Sequence, residues 1–261
     1  MTLGNMFYGL SAVRARCALF GFLLIVVQAP AQSDDGGLTI VGSPVPGVFE
    51  ADSPGPYADF FDDVIRRSGV PLNLVMMPTK RFTRALFDRT ADCSYMGTNR
   101  MSYYHENGHD LEDFILTRPF NRIRMRAYTP ARGPLIESEQ DLAGKLIAAD
   151  EGIAFSSIVA TAVPFASSLL ATPSVGEAFQ LLGAGRVDVV FAYATDADLF
   201  FKISGQSGYQ ASQKYSLLED NEVLVCWPSS AARKLIGHID HAVSVLRASG
   251  DLKRRYGFEV R

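Results

Sequence analysis

The chain has 261 residues, with 25 basic and 28 acidic side chains, a net charge of −3, and 48% hydrophobic residues. No basic block interrupts that balance, which argues against a nucleic-acid partner, and none of the three cysteines stands in a CxxC or Cys/His ligand spacing, which argues against a zinc site. The length suits one large domain or two smaller lobes.

In chain order, residues 1–31 read as a secretory signal peptide. Arg14 and Arg16 precede the apolar run Ala18 to Val27 (ALFGFLLIVV), and Ala29-Pro30-Ala31 supplies a small-residue cleavage site. The run is shorter than the ~20 residues a spanning helix needs. Cleavage after Ala31 predicts a mature, soluble chain in a compartment where disulfides persist. Removing Arg14 and Arg16 leaves 23 basic against 28 acidic residues, a net of −5.

The mature chain opens with a strand, Leu38 to Val41, and a Gly- and Pro-rich loop, Gly42 to Gly55. Tyr57, Phe60, Phe61, Val64 and Ile65 share a helical face that stops at Gly69 and Pro71. Leu72 to Met76 reads as a second strand. Pro78 opens a helix with Phe82, Ala85 and Leu86 inward, and Asp92 starts a third strand ending at Gly97-Thr98. This β-α-β-α-β order is the pattern of a parallel sheet covered by helices.

After Pro119, Arg122 to Tyr128 (RIRMRAY) alternates charged and apolar residues, as in a half-exposed or lobe-crossing strand. A short helix ends at Gly144, Leu146 to Ala149 is a buried strand, and a helix is predicted over Ala154 to Val163. Ser174 and Glu177 have capping-box spacing and begin a helix that ends at Gly183, followed by a strand from Val187 to Ala192. Glu222 to Trp227 is a further strand. Ile236, Ile239, Val243 and Leu246 mark a long helix, and Leu252 to Phe258 a short terminal one.

Two stretches repeat one grammar. ALFDRTADCSYMGT (85–98) and LLGAGRVDVVFAYA (181–194) each give a helix end, a turn, an aspartate (Asp92, Asp188), and a short apolar strand. Two similar α/β lobes facing one another across a cleft explain the repetition. Because ligands of open parallel sheets sit beyond the carboxyl ends of strands, Thr98 and Tyr193 belong to the cleft. Asp92 and Asp188, at the opposite strand ends, are expected to be structural.

The order of six segments resembles the periplasmic solute-binding proteins of the polar amino acid type. They are LTIVGSPVPGVFEADSPGPYADFFDDVIRRSGV, PTKRFTRALFDRTADC, ILTRPFNRIRMRAYTP, DLAGKLIAADEG, GAGRVDVVFAYATDA and VSVLRASGDLKRRYGF. The resemblance implies an α/β fold of the periplasmic binding protein-like type II: two α/β lobes with a hinge and a central cleft. It places lobe 1 at 38–120 plus 223–258 and an inserted lobe 2 at 121–222. It also implies a periplasmic, monomeric binder of a small anionic or zwitterionic ligand, without a cofactor, serving an ABC-type inner-membrane permease or a receptor. Three departures separate the chain from the family's amino acid binders. Tyr193 stands where they usually carry an aspartate, Gly152-Ile153 where they have Gly-Thr or Gly-Ser, and Arg100 follows Gly97 at a shorter spacing than their arginine.

The candidate ligand-binding residues are Phe49, Tyr57, Arg81, Gly97, Thr98, Arg100, Glu151, Phe155 and Tyr193. Arg81 and Arg100 can grip an anion through bidentate bonds, against a reading of Arg81 as one of a solvated basic face. Thr98 can donate a hydroxyl or cap a helix. Phe49 and Tyr57 flank the first loop as aromatic walls, although Tyr57 also fits the buried helix stripe. Glu151 can meet a ligand cation or stay a surface carboxylate. His105 and His109 share a helical spacing that Asn107-Gly108 interrupts, so no metal is expected there. In the family topology Cys93 and Cys226 fall on neighbouring strands, which leaves a disulfide and two free thiols both open. An enzymatic alternative on the same scaffold resembles the cyclohexadienyl dehydratases, with Glu151 or Glu50 as the acid–base group. A soluble sensor module is a third.

Overall fold

The structure, a computed structural model, describes residues 37–45, 48–49, 55–154, 159 and 168–259. The leader read at 1–31, Glu50, Phe155 and nearly all of the helix expected at 154–163 lie outside the described residues.

The first elements follow the expected order. Strand β1 (Leu38–Gly42) is followed by helix α1 (Pro56–Phe60), which widens into a π-helical turn at Phe61–Ile65 and tightens into a 3-10 turn at Arg66–Ser68. Gly69 then ends the helical run at φ 69°, a left-handed conformation that costs glycine least. Strand β2 (Leu72–Met76), helix α2 (Thr79–Phe87) and strand β3 (Cys93–Thr98) follow, and β1 pairs in parallel with both β2 and β3. A short helix α3 (Met101–Glu106) and the two-residue strand β4 (Ile115–Leu116) lead to the long strand β5 (Asn121–Pro130).

The middle of the chain repeats the construction. Parallel strands β6 (Leu146–Asp150), β7 (Ser168–Thr172) and β8 (Val189–Tyr193) are accompanied by α4 (Glu151–Ala154), α5 (Val175–Gly183) and α6 (Ala194–Ser204). Strand β9 (Tyr209–Ala211) pairs with β5, and strand β10 (Leu218–Cys226) carries the chain back to β3. Helices α7 (Ser230–Ala248) and α8 (Asp251–Tyr256) close the chain. The sequence-predicted cap holds, with Ser174 Oγ accepting from Glu177 N, and Ser229 Oγ likewise accepts from Ala232 N at the start of α7.

All ten strands join one sheet, in the order β2-β1-β3-β10-β5-β8-β6-β7 with β4 and β9 added on β10 and β5. Its middle is antiparallel: Asn121–Met125 pairs with Glu222–Leu218, after which β5 continues against β8 while β10 continues against β3. The buried clusters separate on either side of this crossing. One group draws on residues before Asn121 and after Glu222, with Phe60, Phe61, Tyr95, Leu224 and Ile239 among its members. The other draws on 125–197, with Ile147, Phe179, Val189 and Phe191. Leu199 of α6 packs against the first group, so the two sides touch.

The repeated aspartates do the same work on both sides. Asp92 Oδ2 accepts from Thr39 N at 2.7 Å while Asp92 N donates to Thr39 O at 2.9 Å. Asp188 Oδ2 accepts from Leu146 N at 2.8 Å while Asp188 N donates to Leu146 O at 2.8 Å. Each carboxylate thus satisfies the first free N–H of a neighbouring parallel strand.

Among the elements that escape sequence periodicity are β4, β7, β9 and α6. Strands β4 and β9 are too short to show a period. β7 is an edge strand in which Ser168 and Leu170 are exposed, and Tyr193 starts α6 without a side-chain cap.

Cys93 and Cys226 are register partners across β3 and β10, and their sulfurs are bonded at 2.06 Å over a sequence separation of 133. Closing a loop of that length removes on the order of 4–5 kcal/mol of unfolded-state entropy in the chain-entropy description. The Cys93→Ala/Cys226→Ala variant is therefore expected to lose about 3–5 kcal/mol in urea unfolding. An unchanged midpoint and slope would contradict that role.

Candidate functional site

The carboxyl ends of β3, β6 and β8 converge beside the β5–β10 crossing, which brings together residues far apart in sequence. At the crossing, Asn121 and Glu222 are register partners. Asn121 Nδ2 donates to Glu222 Oε2 and to Tyr57 Oη, both at 2.7 Å, and the Tyr57 hydroxyl donates to the same Oε2. Tyr95 Oη in turn donates to Tyr57 O at 2.9 Å. Glu222 is 5% exposed. Burial pushes its carboxyl up to about 7, opposed by the Tyr57 and Asn121 hydrogen bonds and assisted by the charges of Asp196 and Asp220.

Asp196 lies in the first turn of α6, beyond the end of β8. Loss of solvent raises it to about 7 as well, with Asp150 at the end of β6 adding repulsion and a Thr195 hydroxyl bond opposing. Tyr193 feels Asp196, Glu222, Asp150 and Asp220, and its phenol is raised mainly by burial. Four carboxylates from both sides of the crossing therefore share one field.

Among the described residues, a cation stands against them. Arg100 directly follows β3, and its Nη1 lies 3.8 Å from Asp220 Oδ2, which also accepts from Thr98 Oγ1 at 2.7 Å. Thr98 Oγ1 accepts from Arg100 N at 2.9 Å, so the threonine both accepts and donates without capping α3. The buried Arg100 Nε has no hydrogen-bond partner. An orphaned charged donor of this kind is costly unless an acceptor arrives.

Of the residues singled out from the sequence, Thr98, Arg100 and Tyr193 come together here, and Tyr57 joins them from below through Glu222. Gly97 serves strand contact: a Cβ there would lie 2.6 Å from Val225 Cγ2. Phe49 is a core residue, 1% exposed and edge-on to Tyr95 at 5.0 Å. Arg81 is exposed in the first turn of α2, and no hydrogen bond or ion pair links it to the cluster. Glu151 is exposed, while its neighbour Asp150 faces the other carboxylates. His105 and His109 pair separately with Asp110 and Asp113, and His109 stacks on Phe87.

Sequence reasoning missed Asn121, Asp150, Asp196, Asp220 and Glu222. Asp196 had a legible signal, an acid three residues beyond a strand end. Glu222 had none, because its partners lie 101 and 165 residues away.

No protein-family model and no curated protein matches the chain. Solved structures do match it in fold. The GluR0 ligand-binding core in complex with L-glutamate has a TM-score of 0.68 at 14% identity, over 85% of this chain and 98% of that one. The amino acid transporter substrate-binding protein AbpA from Streptococcus pneumoniae, bound to L-arginine, has 0.62 at 18% identity over 85% and 93%. A histidine kinase sensor domain similar to periplasmic binding proteins has 0.63 at 14% over 85% and 95%. The fold is thus periplasmic binding protein-like, two α/β lobes about a hinge and cleft. No helix among the described residues is long and apolar enough to cross a membrane.

A carboxyl whose folded pKa is raised binds its proton more tightly in the folded state, so it favours folding below that pKa. Glu222, raised from 4.5 to about 7, and Asp196, raised from 3.8 to about 7, make the ligand-free protein less stable as pH rises from about 4 to about 7. Thermal melts across that range are expected to show the fall, and Glu222→Gln to flatten it. A melting point that climbs with pH in both proteins would contradict the assignment.

Proposed function

We propose that this protein is a solute-binding protein that takes a small zwitterion between its lobes, without catalysing a reaction on it. The observation that carries the reading is the orphaned Arg100 Nε beside a cluster of four carboxylates at the converging strand ends. Arg100 and Thr98 offer donors to a ligand carboxylate, and Asp196 with Asp150 offers acceptors to a ligand ammonium. Burial is the main reason Asp196 is raised to about 7, and the ammonium offsets that loss of solvent and the added repulsion from Asp150. In the resemblance drawn from the sequence, Asp196 then does what an aspartate at the position of Tyr193 does in the amino acid binders. The complexes of similar structures with L-glutamate and L-arginine support a ligand of amino acid size.

Domain closure needs only a higher affinity of the ligand for the closed arrangement. The lobes of this reading are 38–120 with 223–258 and the inserted 121–222, joined by the paired strands β5 and β10. Export by the N-terminal leader, residence in the periplasm as a monomer, and delivery to an ABC-type permease complete the proposal. The sensor role belongs to the same reading with a receptor in place of the permease, and the similar kinase sensor domain supports it.

One observation favours an enzyme instead. Glu222 is a buried carboxyl near neutrality, hydrogen-bonded to a phenol, as a general acid needs to be. Turnover of a prephenate-like acid by the purified protein would select that reading, and tight binding without turnover the first.

Calorimetric titration with a panel of amino acids, dicarboxylates and polyamines tests the zwitterion. α-Amino acids are expected to bind, with Arg100→Gln weakening them by roughly 10–100-fold, the loss of one charge-assisted bond. Binding of polyamines alone, or an Arg100→Gln protein with full affinity, would refute the proposal. Because the ammonium needs an ionised Asp196, affinity is also expected to rise roughly tenfold from pH 6 to pH 8. Asp196→Asn is expected to abolish that dependence.

A further inference from the structure

The charged alternation RIRMRAY puts Arg122 and Arg124 on one face of β5, away from any role in the cleft cluster. In the structure they line a groove of about 260 Å³ whose other wall is the α7–α8 corner, with Arg247, Lys253, Phe258 and Glu259. Arg122 and Arg124 are 21% and 25% exposed, so their charges are less screened than those of free surface arginines.

The groove holds more positive charge than its carboxylates answer. Glu219 is shared by Arg122 and Arg124, and Glu259 by Arg124 at 3.4 Å and Lys253 at 3.7 Å. Arg247 donates from Nη2 to Pro119 O at 2.9 Å, and no described carboxylate lies within ion-pair distance of it. Further along the strand, Arg126 is opposed by Asp198, so it adds nothing to the excess. Among the described residues, four cations of the groove face two carboxylates, on a chain whose net charge is −3. The bonds to Glu219, Glu259 and Pro119 O also hold three guanidinium forks in place before any ligand arrives, which reduces the entropy lost on binding.

We propose that this groove is a binding site for a phosphate-bearing anion. A phosphate group carries about two negative charges, which matches the excess of two cations, and its tetrahedral oxygens accept from several guanidinium forks at once. The site is separate from the cleft and does not depend on the identity of the cleft ligand.

The test is calorimetric titration of the whole protein with inorganic pyrophosphate at fixed ionic strength. Flotation with vesicles of phosphatidylglycerol and phosphatidylethanolamine runs beside it. Saturable binding of pyrophosphate is expected. The Arg124→Gln/Arg247→Gln variant is expected to weaken it by roughly 100-fold, and Arg186→Gln to leave it unchanged. Should the double variant not fold, the exposed Arg247→Glu alone is expected to abolish binding with an unaltered melting point. Binding of pyrophosphate alone identifies a soluble phosphate ligand. Flotation lost in the same variants identifies a lipid headgroup as the source. No saturable binding in either arm, or binding equal in wild type and variants, overturns the proposal.

Discussion

The antiparallel pairing of Asn121–Met125 with Leu218–Glu222 is the constraint on which the other features depend. It fuses two parallel sheets into one, sets the two groups of buried clusters on either side, and delivers Asn121 and Glu222 to the same point. A register slip of one residue would turn every side chain of either strand to the opposite face. Glu222 would leave Tyr57 and Asn121, and Arg122 and Arg124 would leave Glu219. The mutual hydrogen bonds of Tyr57, Asn121 and Glu222 therefore act as a register lock at the crossing of β5 and β10, made from polar groups that are satisfied only in this alignment.

The twin phrases ending at Thr98 and Tyr193 have a common physical origin. In each, an aspartate ahead of the strand exchanges two hydrogen bonds with the start of a neighbouring parallel strand, so the turn before it and the apolar residues after it recur together. That local economy is why the sequence could be parsed into two α/β halves. The Ser174 cap, the Gly69 stop and the stripe through Ile239 and Val243 are likewise short-range signals, and they were legible. Helix α6 was not, since it follows β8 with no capping side chain to announce it.

The cleft was legible only in part, for a related reason. Thr98, Arg100 and Tyr193 stand next to strand ends, where position alone suggests a role. Asp150, Asp196, Asp220 and Glu222 acquire meaning only from one another, through a register no local pattern encodes. Arg81 shows the converse. A guanidinium in a helix's first turn has the right chemistry, yet the structure leaves it exposed and outside the cluster. Phe49 and Tyr57 were readable as aromatic and as near the site, but their packing against Tyr95 makes them supports beneath it.

The place of β10 also governs the order in which the molecule can be assembled. Strands β1, β2 and β3 leave synthesis early, but the neighbour that completes their sheet arrives only after β5 to β9 have been made. Until then β3 presents an open edge, and the Cys93 thiol waits for a partner 133 residues downstream. Nascent chains are thus most vulnerable to wrong strand partners and mixed disulfides during that interval. Strands β6, β7 and β8, consecutive in the chain, have the shorter path to a finished core.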